Sequence, residues 1–293
     1  MLKIIEKTKL WFALSISIIL LGFVFLIVNK GLNMGTDFTG GTNVIIDMGK
    51  SFDKIEVEKV ALKYASDAVV RTSDETKVEI QSNALNNDND KIQEMFKDIK
   101  TSFNLKADAP ESTSSIGASI GREMEQKGLL ALGVATLLML VYIRIRFKDV
   151  KFGLAAIIAL IHDLLITIAV YAIFKVPVNS AFIAAMLTII GYSINDTIVI
   201  FDRFRENAKL HRGMNTMELA DLSVTQTMTR SINTVLTVLI AVVAVYFFVE
   251  PVRDFAFPLV IGILSGAYSS IFIASPCYVL FKNMKKKKQT ATA

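Results

Sequence analysis

Cysteine is almost missing from this chain: Cys277 is the only one in 293 residues, so no intramolecular disulfide framework and no Cys-x-x-Cys metal clip can form. Histidine is nearly as scarce. His162 and His211 are the only two, and with one cysteine they leave almost nothing from which to build a zinc site. Charge is thin as well, at 20% of residues against about a quarter in a soluble domain, and it is gathered between long apolar blocks. With 53% hydrophobic residues and a mean hydropathy of +0.49, the chain is neither disordered, collagen-like nor a coiled coil. It reads as a membrane protein.

Uninterrupted apolar runs of about 17 to 25 residues mark transmembrane helices. Six are present: Leu10 to Val28, Gly128 to Ile143, Phe152 to Phe174, Ala181 to Phe201, Ile232 to Val249 and Phe255 to Phe281. The second is short, but Tyr142, Arg144 and Arg146 can snorkel and extend it to 147. The first lacks a small-x-small cleavage pattern after it and is expected to stay as an anchor.

Lys and Arg in the short loops set orientation. One side collects Lys3, Lys7, Lys9, Arg144, Arg146, Lys148, Lys151, Arg203, Arg205, Lys209, Arg212 and Arg230, and then the lysines after 281; the other side's two short loops hold only Lys175 and Arg253. Both termini are therefore expected in the cytoplasm. The partition that follows is a cytoplasmic N-terminus at 1–9, spans at 10–28, 128–147, 152–174, 181–201, 231–249 and 255–281, an extracytoplasmic domain at 29–127, a cytoplasmic amphipathic linker at 202–230 and a basic tail at 282–293. Residues 29–127 hold 17 acidic and 13 basic residues against a net charge of +5 for the chain, so the positive charge sits on the cytoplasmic face. The tail's lysines suit anionic lipid; no aromatic residues interleave them as single-stranded nucleic acid would require, and no nucleic-acid partner is expected.

Within 37–127 the pattern is strand-like at Thr42 to Met48, helical from Phe52 to Ala65, and strand-like at Ala68 to Thr72 and Lys77 to Ser82, with a hairpin turn at Thr72 to Thr76. A second helix spans Asp88 to Phe103, where Ile92, Met95, Phe96, Ile99 and Phe103 recur at helical spacing. A last strand near Ser112 to Ile116 completes β-α-β-β-α-β. The fold class is thus an α-helical bundle of six transmembrane helices with a small α+β ferredoxin-like extracytoplasmic domain. That domain carries no nucleophile, base and orienting residue paired by spacing, so it reads as a binding or lever module. Gly40-Gly41, where the chain enters the first strand, can supply positive φ, close backbone approach or a hinge.

Charged residues at membrane depth cost about 2.5 to 3.5 kcal/mol each and persist where they face the bundle, pair, or serve an ion path. Asp163, after His162, lies near the middle of its span. Asp196, after Asn195, lies roughly 8 Å past the centre of its own at 1.5 Å per residue. Arg230 opens the fifth span and can reach the level of Asp196, so Asp196, Arg230, Asp163, Asn195 and His162 are the candidate proton-coupling residues. An arginine and burial pull a carboxylate in opposite directions, which makes a group able to change charge with hydration; the alternatives are a structural ion pair, or interfacial anchoring for Arg230. Neighbouring residues on a helix do not face one way, so His162 and Asp163 are not required to act together. Asn215-x-x-Glu218 offers a capping box for a helix lying at the interface before the fifth span. Gly262-x-x-x-Gly266 favours close helix approach.

Five segments carry a resemblance. Gly35-Thr-Asp-Phe-Thr-Gly-Gly-Thr42, Ser115-Ile-Gly-Ala-Ser-Ile-Gly121, His162-Asp163, Gly191-Tyr-Ser-Ile-Asn-Asp-Thr-Ile-Val-Ile-Phe-Asp-Arg203 and Arg230-Ser-Ile-Asn-Thr234 resemble, in order, the motifs of the SecF branch of the SecD/SecF protein-export family, within the resistance-nodulation-division superfamily. The resemblance implies a multi-pass subunit of the bacterial inner membrane that pairs with SecD, docks on the SecYEG channel, and uses the proton gradient to help move unfolded exported chains. SecA and YajC are further partners it brings into view. It implies no organic cofactor, no metal and no ATP site, hence a transport subunit and not an enzyme, with protons as the coupling ion and sodium an open alternative. In that family the aspartate of the fourth span and the arginine opening the fifth are linked to proton passage; they match Asp196 and Arg230.

Three other readings compete. An intramembrane aspartyl protease needs two carboxylates on one water, but the Tyr-Asp and Gly-x-Gly-Asp contexts are absent. A lipid or drug exporter of the same superfamily usually has twelve spans in one chain. A passive assembly scaffold would hold its intramembrane charges merely paired.

Overall fold

The computed structural model describes residues 2–72, 76–86, 88–147, 149–249 and 252–291. A 3-10 turn at Ile5–Lys7 leads into α1 (Thr8–Val28), followed by the single-turn α2 (Thr36–Thr39), β1 (Gly41–Asp47), α3 (Lys54–Tyr64), β2 (Val69–Thr72), β3 (Lys77–Ser82), α4 (Asn89–Phe103) and β4 (Ser112–Ile116). The remaining helices are α5 (Ala118–Arg146), α6 (Val150–Phe174), α7 (Ser180–Leu210), α8 (Thr216–Phe248) and α9 (Arg253–Ser269), then a π-helical turn (Ser270–Ala274) and α10 (Ser275–Ala291). The chain divides into two compact units, residues 1–33, 131–176 and 181–293, and residues 34–130 with 177–180.

Six helical stretches among the described residues are long and apolar enough to cross a membrane: Ile5–Val28, Ser119–Arg146, Val150–Phe174, Ser180–Leu210, Thr216–Phe248 and Arg253–Asn283. The protein is a multi-pass membrane protein. In the membrane unit α6, α7 and α9 bury much of their length, whereas α1, α5 and α8 leave leucines and isoleucines such as Leu20, Leu138 and Ile240 exposed, as lipid-facing helices do. Small residues explain the close centre. Ala155, Ala156 and Ala159 are fully buried on α6, and a Cβ on Gly22 of α1 would lie 2.6 Å from the Cα of Ala169, so α1 meets α6 almost backbone to backbone. Gly262 and Gly266 serve the α9–α7 contact: a Cβ would lie 2.5 Å from Ile189 Cγ1 at the first and 2.9 Å from Ser193 Cβ at the second.

The π turn has a covalent cause. Pro276 has no N–H to offer the carbonyl four residues back, and its ring crowds that carbonyl, so the helix widens by a residue there. The Ser275 hydroxyl donates to the Ser270 carbonyl at 3.1 Å, five residues back.

Several helix bounds depart from the sequence reading. The second membrane helix begins at Ala118 instead of 128, because Arg122 to Lys127 are good helix formers that continue the turn. The expected interfacial linker at 202–230 is not a separate element. α7 runs on to Leu210 and α8 starts at Thr216, since a polar seam holds them together past the apolar stretch: Asn207 Nδ2 donates to Ser223 Oγ at 2.9 Å and to Gln226 Oε1 at 2.8 Å. Asn215 does cap α8, accepting from the Met217 N–H at 3.3 Å. The tip of the expected hairpin, 73–75, lies outside the described residues.

The second unit is a four-stranded antiparallel sheet in the order β2-β3-β1-β4. This is the split β-α-β order of a ferredoxin-like domain. Alternation puts Val44 and Ile46 of β1 beside Ile80 and Val78 of β3 on the face covered by α3 and α4, where Val57, Met95 and Ile99 are fully buried. Asp88 caps α4 by accepting the Lys91 N–H. Residues 177–180 join this unit: Gly35 N–H donates to the Val178 carbonyl at 2.8 Å, and Asp37 Oδ2 accepts the N–H and hydroxyl of Ser180.

Candidate functional site

Asp163 is the most connected side chain of the membrane unit and is 1% exposed. Its Oδ1 accepts from Ser265 Oγ at 2.7 Å and lies 3.0 Å from His162 Nδ1; its Oδ2 accepts from Ser193 Oγ at 2.6 Å and Ser269 Oγ at 2.7 Å. Three serine hydroxyls and one imidazole nitrogen thus surround the carboxylate, two groups on each oxygen. The three serines come from α7 and α9, so the carboxylate ties α6 to both. His162 and Asp163, which helical phase does not require to act together, do meet. Their backbones point about 100° apart, but the imidazole is long enough for Nδ1 to turn back toward the carboxylate beside it.

Asp196 is built differently. It is 8% exposed, yet it accepts one hydrogen bond, from Ser231 Oγ to Oδ1 at 2.6 Å. Its Oδ2 is buried without a partner. A buried carboxylate oxygen without a donor is costly and is the place on which a proton can sit. Arg230 forms no ion pair with Asp196: its side chain is exposed and acts on Asp196 as a charge at longer range. The reason is helical phase. Ser231, one residue on, takes the position facing α7, and Arg230 is turned about 100° away.

Around this carboxylate α7 and α8 present an unusual face for a membrane helix pair. Thr188, Gly191 and Asn195 are exposed on α7, and Arg230, Asn233 and Thr237 on α8. Asn195 therefore lies on that exposed face, while Asp196 beside it points inward. Among the described residues no cluster of His, Cys, Asp and Glu could hold a metal ion.

Gly40 and Gly41 have φ of 75° and 120°, and a Cβ on Gly41 would lie 2.6 Å from Asn83 Oδ1 and 2.7 Å from the Ser82 carbonyl. Both conformation and space demand glycine there. The opposite wall is as close, since a Cβ on Gly121 would lie 2.8 Å from the Phe38 carbonyl oxygen.

Comparison with known proteins then decides the family. Residues 92–284 match the family described as "Protein export membrane protein SecD/SecF, C-terminal", and residues 25–51 match the "SecD/SecF GG Motif". This chain belongs to the SecD/SecF family. The protein translocase subunit SecF of Petrotoga mobilis is 32% identical over 98% of this chain and 98% of that protein. SecDF of Bacillus subtilis is 34% identical over 98% of this chain but only 39% of its own length. The crystal structure of SecDF from Thermus thermophilus, a translocon-associated membrane protein, superposes with a TM-score of 0.82 at 31% identity, covering 96% of this chain and 39% of that one. The chain thus spans about two fifths of these SecDF relatives and nearly the whole of a SecF. Asp163, Asp196 and Arg230 fall in the first SecD/SecF match, and the one adjacent glycine pair of the second is Gly40-Gly41.

Serines are what the sequence reading overlooked. Ser231 and Ser193 sit inside motifs quoted for their charged neighbours, and Ser265 and Ser269 stand at i and i+4 on one face of the last span. That spacing of hydroxyls opposite a buried aspartate was the available signal.

Proposed function

We propose that this chain is the SecF-type subunit of a Sec export machinery in the bacterial inner membrane. With a SecD-type partner it draws on the proton gradient to assist passage of unfolded chains through a SecYEG channel, as a transport subunit without an ATP site. The observation that carries this reading is the half-satisfied Asp196, which has a donor on one oxygen and a buried, empty second oxygen. Binding a proton there cancels its charge, its attraction to Arg230 and its demand for water. Two arrangements of α7 and α8 then exchange stability, and the proton shifts them by its differential affinity. The polar face of Thr188, Asn195, Arg230 and Asn233 supports a protein partner on that side, because lipid leaves such groups unpaired. Asp163, held by three serine hydroxyls, serves as an anchor between the helices.

The sheet domain faces outward in this reading, with the Arg- and Lys-rich helix ends in the cytoplasm. In membrane vesicles carrying both partners, Asp196→Asn keeps assembly while export stops responding to an uncoupler. An Asp196→Asn variant that still follows the gradient fully would make this carboxylate a structural group, as a passive scaffold requires.

A further inference from the structure

A chain of hydrogen bonds leads from Asp163 out to α1, and the protons on it can be counted. Tyr268 OH donates to the Trp11 carbonyl at 2.8 Å, so its only proton is committed. Ser15 Oγ lies 3.4 Å from Tyr268 OH, and that link exists only if Ser15 donates it. Ser15 then has no proton left for His162 Nε2, 2.9 Å away, so Nε2 must be the donor. On the other side of the ring, Nδ1 faces an Asp163 oxygen that also accepts from Ser265, so that contact too needs a proton, carried by Nδ1 or by the carboxyl. A neutral imidazole has one N–H and an imidazolium has two. The complete chain therefore requires one proton more than a neutral imidazole and a carboxylate supply, and imidazole is the stronger base of the two.

We propose that His162 is a proton-binding site of the membrane unit, protonated in the arrangement seen here, and that losing its proton turns Ser15 round and breaks the Ser15–Tyr268 link between α1 and α9. With Nε2 unprotonated, Ser15 donates to His162, and nothing donates to Tyr268. Asp163, held by Ser193, Ser265 and Ser269, is the counter-charge. The other surroundings of His162 leave no competing group. α1 carries no titratable residue between Leu10 and Val28, and α9 contributes Tyr268, with Arg253 and Asp254 at its far end. The π turn contributes none. α7 contributes Ser193, flanked by Tyr192 and by Asp196, which is bonded to Ser231. A cavity of about 300 Å³ lined by Leu14, Ser15, Ile18, Ser265 and Tyr268 lies against the imidazole. This site is separate from Asp196 and does not depend on the proposed role of that residue.

Trp11 is the only tryptophan, its carbonyl ends the chain, and its ring centroid lies 4.3 Å from that of Phe272, so its fluorescence reports the switch. Full-length protein in lipid nanodiscs is titrated from about pH 5 to about pH 9, around the range in which histidine changes charge. Emission should change through one protonation step in the wild type and in Asp196→Asn, and stay flat in His162→Gln and Ser15→Ala. Because His162→Gln could fail to fold, histidine ¹⁵N NMR is run on His211→Asn as well. His211 is exposed, and its removal leaves His162 as the single histidine. The expected result is conversion from two protonated ring nitrogens to one across the fluorescence step. A His162 signal that does not change over this range, or a step that survives His162→Gln, overturns the proposal. No export or gradient is involved, so the outcome is independent of the vesicle test on Asp196.

Discussion

Ser231, and not Arg230, holds Asp196: its hydroxyl donates to Oδ1 at 2.6 Å while Oδ2 stays buried and unpartnered. A hydrogen bond to a charged group contributes about 1.5 to 3 kcal/mol, which is a factor of roughly 10 to 100 between two helix arrangements. Ser231→Ala should therefore reduce gradient-dependent export in vesicles by at least about tenfold while leaving partner assembly intact. Arg230→Lys should preserve most of the activity, since Arg230 acts here as a charge without a bidentate contact, whereas Arg230→Ala should behave like Asp196→Asn. An Arg230→Lys variant as inactive as Arg230→Ala would mean that the guanidinium fork binds directly in another state.

Asp163 predicts a different phenotype from Asp196. Asp163→Ala leaves the hydroxyls of Ser193, Ser265 and Ser269 and one His162 nitrogen buried without their acceptor, at about 1 to 3 kcal/mol for each unsatisfied group. Thermal unfolding of the detergent-solubilised protein should show a large loss of stability, with Asp163→Asn intermediate because one carbonyl acceptor remains. Equal melting of Asp163→Ala and Asp196→Asn would remove the anchoring role.

The glycines rank in an order that motif reading does not give. Gly22→Ala drives a methyl against the Ala169 backbone, which cannot rotate away, whereas Gly262→Ala meets the side chain of Ile189, which can. Overpacking costs about 1 to 3 kcal/mol, and Gly22→Ala should sit at the upper end and Gly262→Ala at the lower when both are compared by melting.

Orientation can be tested with single cysteines in a Cys277→Ser background. Lys50 of the sheet domain and Arg212 of the α7–α8 turn, both exposed, are suitable sites. An impermeant reagent should label Lys50→Cys and spare Arg212→Cys in intact cells.

Asp67 supplies a pH dependence in the sheet domain. Burial alone would push its carboxyl up, but donors from Ser82, Asn83 and Ala84 outweigh this and hold it below the usual carboxylate value. A carboxyl lowered in the folded state stabilises it above the unfolded-state value and loses that contribution as the pH falls through the folded value. Local unfolding of this domain, followed by hydrogen exchange between about pH 6 and pH 3, should become easier with acid, and Asp67→Asn should flatten that dependence.

Six membrane helices, a β-α-β-β-α-β domain and the positions of two intramembrane aspartates were legible in the sequence. Hydropathy, alternation and helical spacing are local properties of the chain, and lipid or a sheet face imposes them residue by residue. The different fates of the two aspartates were not legible. Asp163 draws its donors from Ser193, Ser265 and Ser269, 30 to 106 positions away, and Asp196 gains Ser231 and misses Arg230 through a phase difference of one residue on α8. Hydrogen bonds of this kind depend on where separate helices meet and how each is rotated about its axis. Packing through Gly22, Gly262 and Gly266 sets those relations, and only the tertiary structure could decide them.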